Sequence, residues 1–192
     1  MDLRDLDRRA LAQTDRFVAA VTVADLDKPT PCAGWSLDEL LRHMVAQQNG
    51  WAEAAGGAAS RREVWEDAAL GEDPYRTYRT STDRVLEAFA APDLMDRRFD
   101  VYGYGVFPAT VALGMHFVDY LVHGWDVAKA LGGPDGFDDD LGAAALRIAL
   151  RWPYDRPDKA FGVRVEVADE APAHHRLMAY LGRSPAWPEK VS

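Results

Sequence analysis

Residues 108–131 read PATVALGMHFVDYLVHGWDVAKAL, and this stretch decides the fold. Proline suits the start of a helix, and Gly132-Gly133 ends it. At about 100° per residue, with His116 at zero, His123 falls near −20°, Asp119 near −60° and Asp126 near −80°. Small alanines, Ala112 and Ala130, bound this stripe, and the other faces carry Val111, Leu113, Met115, Phe117, Val118, Leu121, Val122 and Trp125. A helix apolar on nearly every face is a buried helix. Its ionisable groups must then be paired, protonated or bound to a cation, because an isolated buried carboxylate is too costly. Asp119 and His123 stand at i and i+4, where two side chains converge on one point. That spacing serves two metal ligands or a buried hydrogen-bonded pair.

A third ligand has to come from the same stripe or from another helix. His116 is the candidate on the stripe. His43 is the candidate elsewhere, on a helix with a complete start signal: Ser36 and Glu39 form a capping box, and Trp35 with Leu40 a hydrophobic staple. That helix is expected from Leu37 to about Trp51, before Gly56-Gly57. Two histidines and a carboxylate would leave a fourth position open on zinc, as catalytic sites do. Asp126 and His116 are candidates for orienting a ligand or moving a proton. Cys32, ahead of the cap, reads as a packed small residue, and His174-His175 as surface.

The rest of the chain is also mainly helical. Leu6, Ala10, Leu11, Thr14, Phe17, Val18 and Val21 give an amphipathic helix over 3–23, with Asp7, Arg8, Arg9, Asp15 and Arg16 on a solvated face. A third helix opens at Asp73-Pro74 and stops before Pro92. Tyr102-Gly103-Tyr104-Gly105 reads as a loop whose tyrosines either line the mouth of the site or simply pack, and 138–152 as a further helix. Beyond Pro153 comes a turn at Asp155-Arg156-Pro157. Period-two alternation over 161–167 then suggests a strand or extended segment, and a short helix runs from His175 to Leu181, closed by Gly182. The expected division is a helical bundle over 1–152 and a tail over 153–192 packed on it.

Composition narrows the partners. The 192 residues carry 22 Lys+Arg against 31 Asp+Glu, a net charge of −9, which opposes binding to nucleic acid or anionic lipid. No apolar run is long enough to span a membrane, and the charged start Met1-Asp2-Leu3-Arg4-Asp5 lacks the apolar core of a signal peptide. One cysteine excludes an internal disulfide and multi-cysteine metal sites. A cytoplasmic protein, monomeric or homodimeric, is expected.

Three blocks together carry a resemblance: Thr30-Pro31-Cys32-Ala33-Gly34-Trp35-Ser36-Leu37-Asp38-Glu39-Leu40-Leu41-Arg42-His43, then Asp119-Tyr120-Leu121-Val122-His123-Gly124-Trp125-Asp126, then Ala179-Tyr180-Leu181-Gly182-Arg183-Ser184-Pro185-Ala186-Trp187. They resemble the metal-binding proteins of the DinB-like superfamily, in the short actinobacterial form similar to the N-terminal domain of mycothiol-dependent maleylpyruvate isomerase. The excess of 18 arginines over 4 lysines suits such a source. The resemblance implies an all-α four-helix bundle of up-down-down-up connectivity, with an extra helix and a short extended C-terminal tail. It also implies a divalent metal, zinc or sometimes nickel, on His43, Asp119 and His123, and so selects His43 over His116. The isomerase carries a further C-terminal domain that this chain is too short to contain.

The function so implied is that of a thiol transferase or isomerase-like enzyme. A site with one anionic ligand stays positive and favours a bound thiolate, with mycothiol as the thiol and a small electrophile as the acceptor. Two other readings use the same residues: a metal-binding or small-molecule-binding module without turnover, and a hydrolase with a metal-activated water. An iron oxygenase shares the ligand set, but its usual scaffold is a double β-sheet.

Overall fold

The computed structural model describes residues 2–66, 68–134, 138–152 and 161–188. The main helices are α1 (Leu3–Val18), α2 (Leu37–Ala55), α3 (Arg62–Glu66), α4 (Pro74–Phe89), α5 (Ala109–Ala130), α6 (Asp139–Ala149) and α7 (Ala173–Tyr180). A two-stranded antiparallel hairpin, β1 (Arg98–Val101) and β2 (Gly105–Pro108), pairs Phe99 with Phe107.

Four helices make the bundle, and side-chain contacts give their directions. Asp7 meets His116, and Thr14 meets the Tyr120 carbonyl, so α1 and α5 run parallel. Arg42 reaches the Ala68 carbonyl, Gln48 meets Thr82, and Arg84 meets Asn49, so α2 and α4 also run parallel. Tyr120 donates to the Met44 carbonyl while Trp51 packs on His116, so α2 and α5 are antiparallel. The order is up-down-down-up, as the resemblance implies.

Parallel α2 and α4 require the chain to return along the whole of α2, about 28 Å at 1.5 Å per residue. Residues 56–66 and 68–73 lie on that return, and α3 anchors it. Trp65 is buried against Gly50, where an added Cβ would come within 2.2 Å of the indole.

Local signals place several boundaries. Ser36 and Glu39 form the reciprocal capping box at the start of α2, and Asp73 caps α4 with Pro74 in the first turn. α1 ends at Val18, short of residue 23, because Thr22 and Asp25 cap a separate 3₁₀ turn over Val23–Asp25. The expected loop at 102–105 is the turn of the hairpin, with Gly103 and Gly105 at positive φ. No strand forms over 161–167. That segment has no neighbouring strand among the described residues, and Val165 N–H instead bonds the Ala179 carbonyl of α7. The expected turn at 155–157 lies outside the described residues.

Two apolar clusters share α5. One fills the space between α1, α2 and α4 with Leu40, Met44, Trp51, Tyr78, Val85 and Leu113. The other packs Phe117, Leu121 and Trp125 against α6 and α7 through Leu141, Ala145, Leu177 and Leu181. Covered on both sides, α5 buries most of its length, including His116, His123 and Asp126. Asp7 is buried as well, against the expectation of a solvated face, because the stripe of α5 needs a partner there. His174 and His175, expected at the surface, are half-buried, and His174 lies against Gly142 of α6.

Candidate metal centre

Antiparallel packing of α2 on α5 brings the first third of α2 beside the second half of α5. His43, Asp119 and His123 meet there, each offering one donor atom within 4.8 Å of the other two. His123 Nε2 is 3.5 Å from Asp119 Oδ1. Two donors each 2.0–2.2 Å from a tetrahedral ion stand about 3.3–3.6 Å apart, so this separation fits shared coordination. Burial, followed by the neighbouring His123, pushes the His43 imidazole down to about 4. His43 is therefore neutral at pH 7, the form in which imidazole ligates. The residue types, their count and their spacing fit a divalent cation with an open position.

Behind His123 lies a second layer. Its Nδ1 is 3.0 Å from Asp126 Oδ2. Both oxygens of Asp126 also accept from Arg183: Nη2 to Oδ2 at 3.0 Å and Nε to Oδ1 at 3.3 Å. Asp126 and Arg183 are both buried. Burial alone would raise the Asp126 carboxyl, but Arg183 and then the hydrogen bond from His123 outweigh it, so the acid stays below its ordinary range. An ionised Asp126 accepting from Nδ1–H fixes the His123 tautomer and leaves the Nε2 lone pair facing Asp119 and His43.

One wall is aromatic. The half-buried Trp35 ring lies 4.8 Å from His43 and 6.5 Å from His123, nearly parallel to the latter. The half-buried Cys32 thiol falls within 4.8 Å of donor atoms of His123 and Asp126. Burial pushes that thiol up to about 11, with only partial relief from Arg183, so Cys32 is protonated at neutral pH.

Three candidates for the site lie elsewhere. His116 is not brought to the group. It sits two turns before His123, with Nδ1 2.6 Å from Asp7 Oδ1 and its ring among Trp51, Phe89 and Tyr120. The near-equal angles of His116 and His123 on a helical wheel conceal about 10 Å along the axis, enough to give them different neighbours. Tyr102 and Tyr104 belong to the hairpin at the start of α5, about 20 Å of helix from His123, and do not line the mouth. Arg183, conversely, belongs to the centre without standing out in the sequence. Its signal there is its place in the third resemblance block, directly after the glycine that closes the helix.

Comparison with known proteins points to one family. The family profile of the mycothiol maleylpyruvate isomerase N-terminal domain matches residues 8–128. Uncharacterized proteins from two strains of Mycobacterium tuberculosis, CDC 1551 / Oshkosh and H37Rv, are each 29% identical over 187 residues, covering 96% of this chain and 99% of theirs. The crystal structure of the mycothiol-dependent maleylpyruvate isomerase superposes with a TM-score of 0.59 at 18% identity, over 78% of this chain and 68% of that one. A histidine-to-alanine mutant of that enzyme gives 0.61 at 15% identity, with the same coverage. At these identities the two structures speak for a shared fold.

Proposed function

Because this chain belongs to the mycothiol maleylpyruvate isomerase N-terminal domain family, we propose that it is a divalent-metal protein that activates a small thiol, with mycothiol as the thiol and zinc as the metal. His43, Asp119 and His123 would hold the ion. The observation that carries the reading is the convergence of these three donors at one end of the bundle, with an imidazole–carboxylate spacing of 3.5 Å.

The cation, when bound, supplies Lewis acidity that brings a thiol's pKa toward neutrality. This chain's residues do the rest. Asp126 keeps the proton of His123 on Nδ1, so that the other nitrogen is free to ligate. Asp119 supplies the single anionic donor, which leaves the site net positive and selective for an anionic sulfur. Trp35 offers an apolar wall that excludes water from one side and can lie against a flat, unsaturated electrophile. In the metal-free chain Cys32 is kept protonated by burial.

No membrane-spanning helix is found among the described residues, and both reactants in this scheme are small molecules.

The test is metal and thiol binding by the full chain. One equivalent of zinc or cobalt is expected, with a sulfur-to-cobalt charge-transfer band on adding the thiol. His43→Ala, Asp119→Ala and His123→Ala should each abolish both. A folded chain that takes up no metal, or whose bound cobalt is indifferent to thiol, would defeat the proposal.

A further inference from the structure

We propose that Arg183 is a positioning residue of the metal centre, acting through Asp126 on the ligand geometry of His123. The inference rests on the metal-binding reading above, and it concerns a residue outside the 8–128 stretch that defines the family match.

The geometry is specific. A carboxylate that only needed a partner could rotate about its Cβ–Cγ bond. Asp126 cannot, because the guanidinium fork engages both of its oxygens, at 3.0 and 3.3 Å. The plane so fixed points Oδ2 at His123 Nδ1, 3.0 Å away. One oxygen therefore serves the arginine and the histidine together, and any displacement of the arginine reaches the imidazole through a single shared atom.

Arg183 is itself held from behind. Its Nη1 donates to the Leu181 carbonyl at 3.0 Å, and its guanidinium lies 5.5 Å from the centre of the Phe161 ring. Gly182 turns the chain at φ +82°, and its backbone crosses Gly162 so closely that a Cβ there would lie 2.5 Å from Gly162 backbone atoms. The crossing fixes how far the arginine enters the bundle. A buried charge pair that served only to fasten the C-terminal segment would not need its acceptor oxygen shared with a candidate ligand.

The experiment measures zinc affinity by chelator competition and the cobalt ligand-field spectrum, using Arg183→Gln, Arg183→Lys, Asp126→Asn and the double variant Arg183→Gln/Asp126→Asn in the full chain. Loss of an outer partner of a ligating histidine typically costs about 10- to 100-fold in metal affinity. Arg183→Gln is expected to weaken zinc by about that factor and to alter the cobalt spectrum, and Arg183→Lys to recover part of the loss. The double variant is expected to be no more than about threefold weaker than Asp126→Asn alone, because both changes break one relay. Additive losses, or an unchanged cobalt spectrum in a folded Arg183→Gln protein, would reduce the arginine to a fastener and overturn the proposal. If Arg183→Gln does not fold, the Arg183→Lys variant decides by the same spectrum. If the unaltered chain binds no metal, the underlying reading fails instead, and the two failures are told apart at that first measurement.

Discussion

His116 Nδ1 and Asp7 Oδ1 lie 2.6 Å apart across the α1–α5 interface, with neither side chain appreciably exposed. This pair is a second buried carboxylate–histidine contact, and it takes no part in the candidate metal centre. Removing one partner leaves the other buried without its hydrogen bond, a change that costs about 1–3 kcal/mol. His116→Ala should therefore lower the urea midpoint by that equivalent while leaving zinc stoichiometry unchanged. Asp7→Asn should cost less, because an amide oxygen still accepts from the ring. A His116→Ala protein as stable as the parent would refute the assignment.

Gly124 lies where Thr14 of α1 packs directly against α5. A Cβ at this position would meet Thr14 Oγ1 at 2.3 Å and the Thr14 Cβ at 3.1 Å, while that hydroxyl bonds the Tyr120 carbonyl at 2.9 Å. Overpacking of this kind costs about 1–3 kcal/mol. Gly124→Ala should destabilise by that amount in denaturant titration. It should also weaken metal binding, since it displaces the neighbouring His123. Adding Thr14→Ala should recover part of the stability by removing the hydroxyl.

Cys32 should be slow toward alkylating reagents. With its thiol pushed up to about 11, the thiolate fraction at pH 7 is on the order of 100-fold below that of a free cysteine. Iodoacetamide kinetics on native and urea-unfolded chain provide the check. A native rate equal to the unfolded one would contradict the burial.

Acid should destabilise the metal-free protein through His43. Its folded-state pKa is depressed to about 4, below its ordinary value near 6.5, by burial and then by His123. Protons therefore bind the unfolded chain first. The stability tied to a neutral His43 is fully present above pH 6.5 and is lost as pH falls toward 4. His43→Gln should flatten the decline in melting temperature across that interval, and an unchanged slope would count against it.

Much of this is legible in the residues. The capping box of Ser36 and Glu39 fixes where α2 starts, and the apolar surround of α5 marks its polar stripe as interior. Helical periodicity brings Asp119 and His123 together, but it is silent on which helix faces them. Resemblance selects His43 over His116, and tertiary packing alone separates the two. The hairpin is hidden because four-residue strands carry too little alternation to stand out. Asp7 reads as solvated because its helix has charged neighbours at Arg8 and Arg9; a wheel cannot show that α5 offers it a histidine. Arg183 contacts Asp126 across 57 residues of chain, a distance no local pattern spans.

The parallel pairing of α1 with α5 and of α2 with α4 also shapes how the molecule assembles. Each pair is a separate half, and the first helix must wait for the last one of the bundle, more than a hundred residues later, before it has its main partner. Such non-local closure slows folding. The candidate donors straddle the seam: His43 belongs to one half, Asp119 and His123 to the other. An ion held between them would cross-link the two pairs and stabilise the folded bundle by its affinity for it.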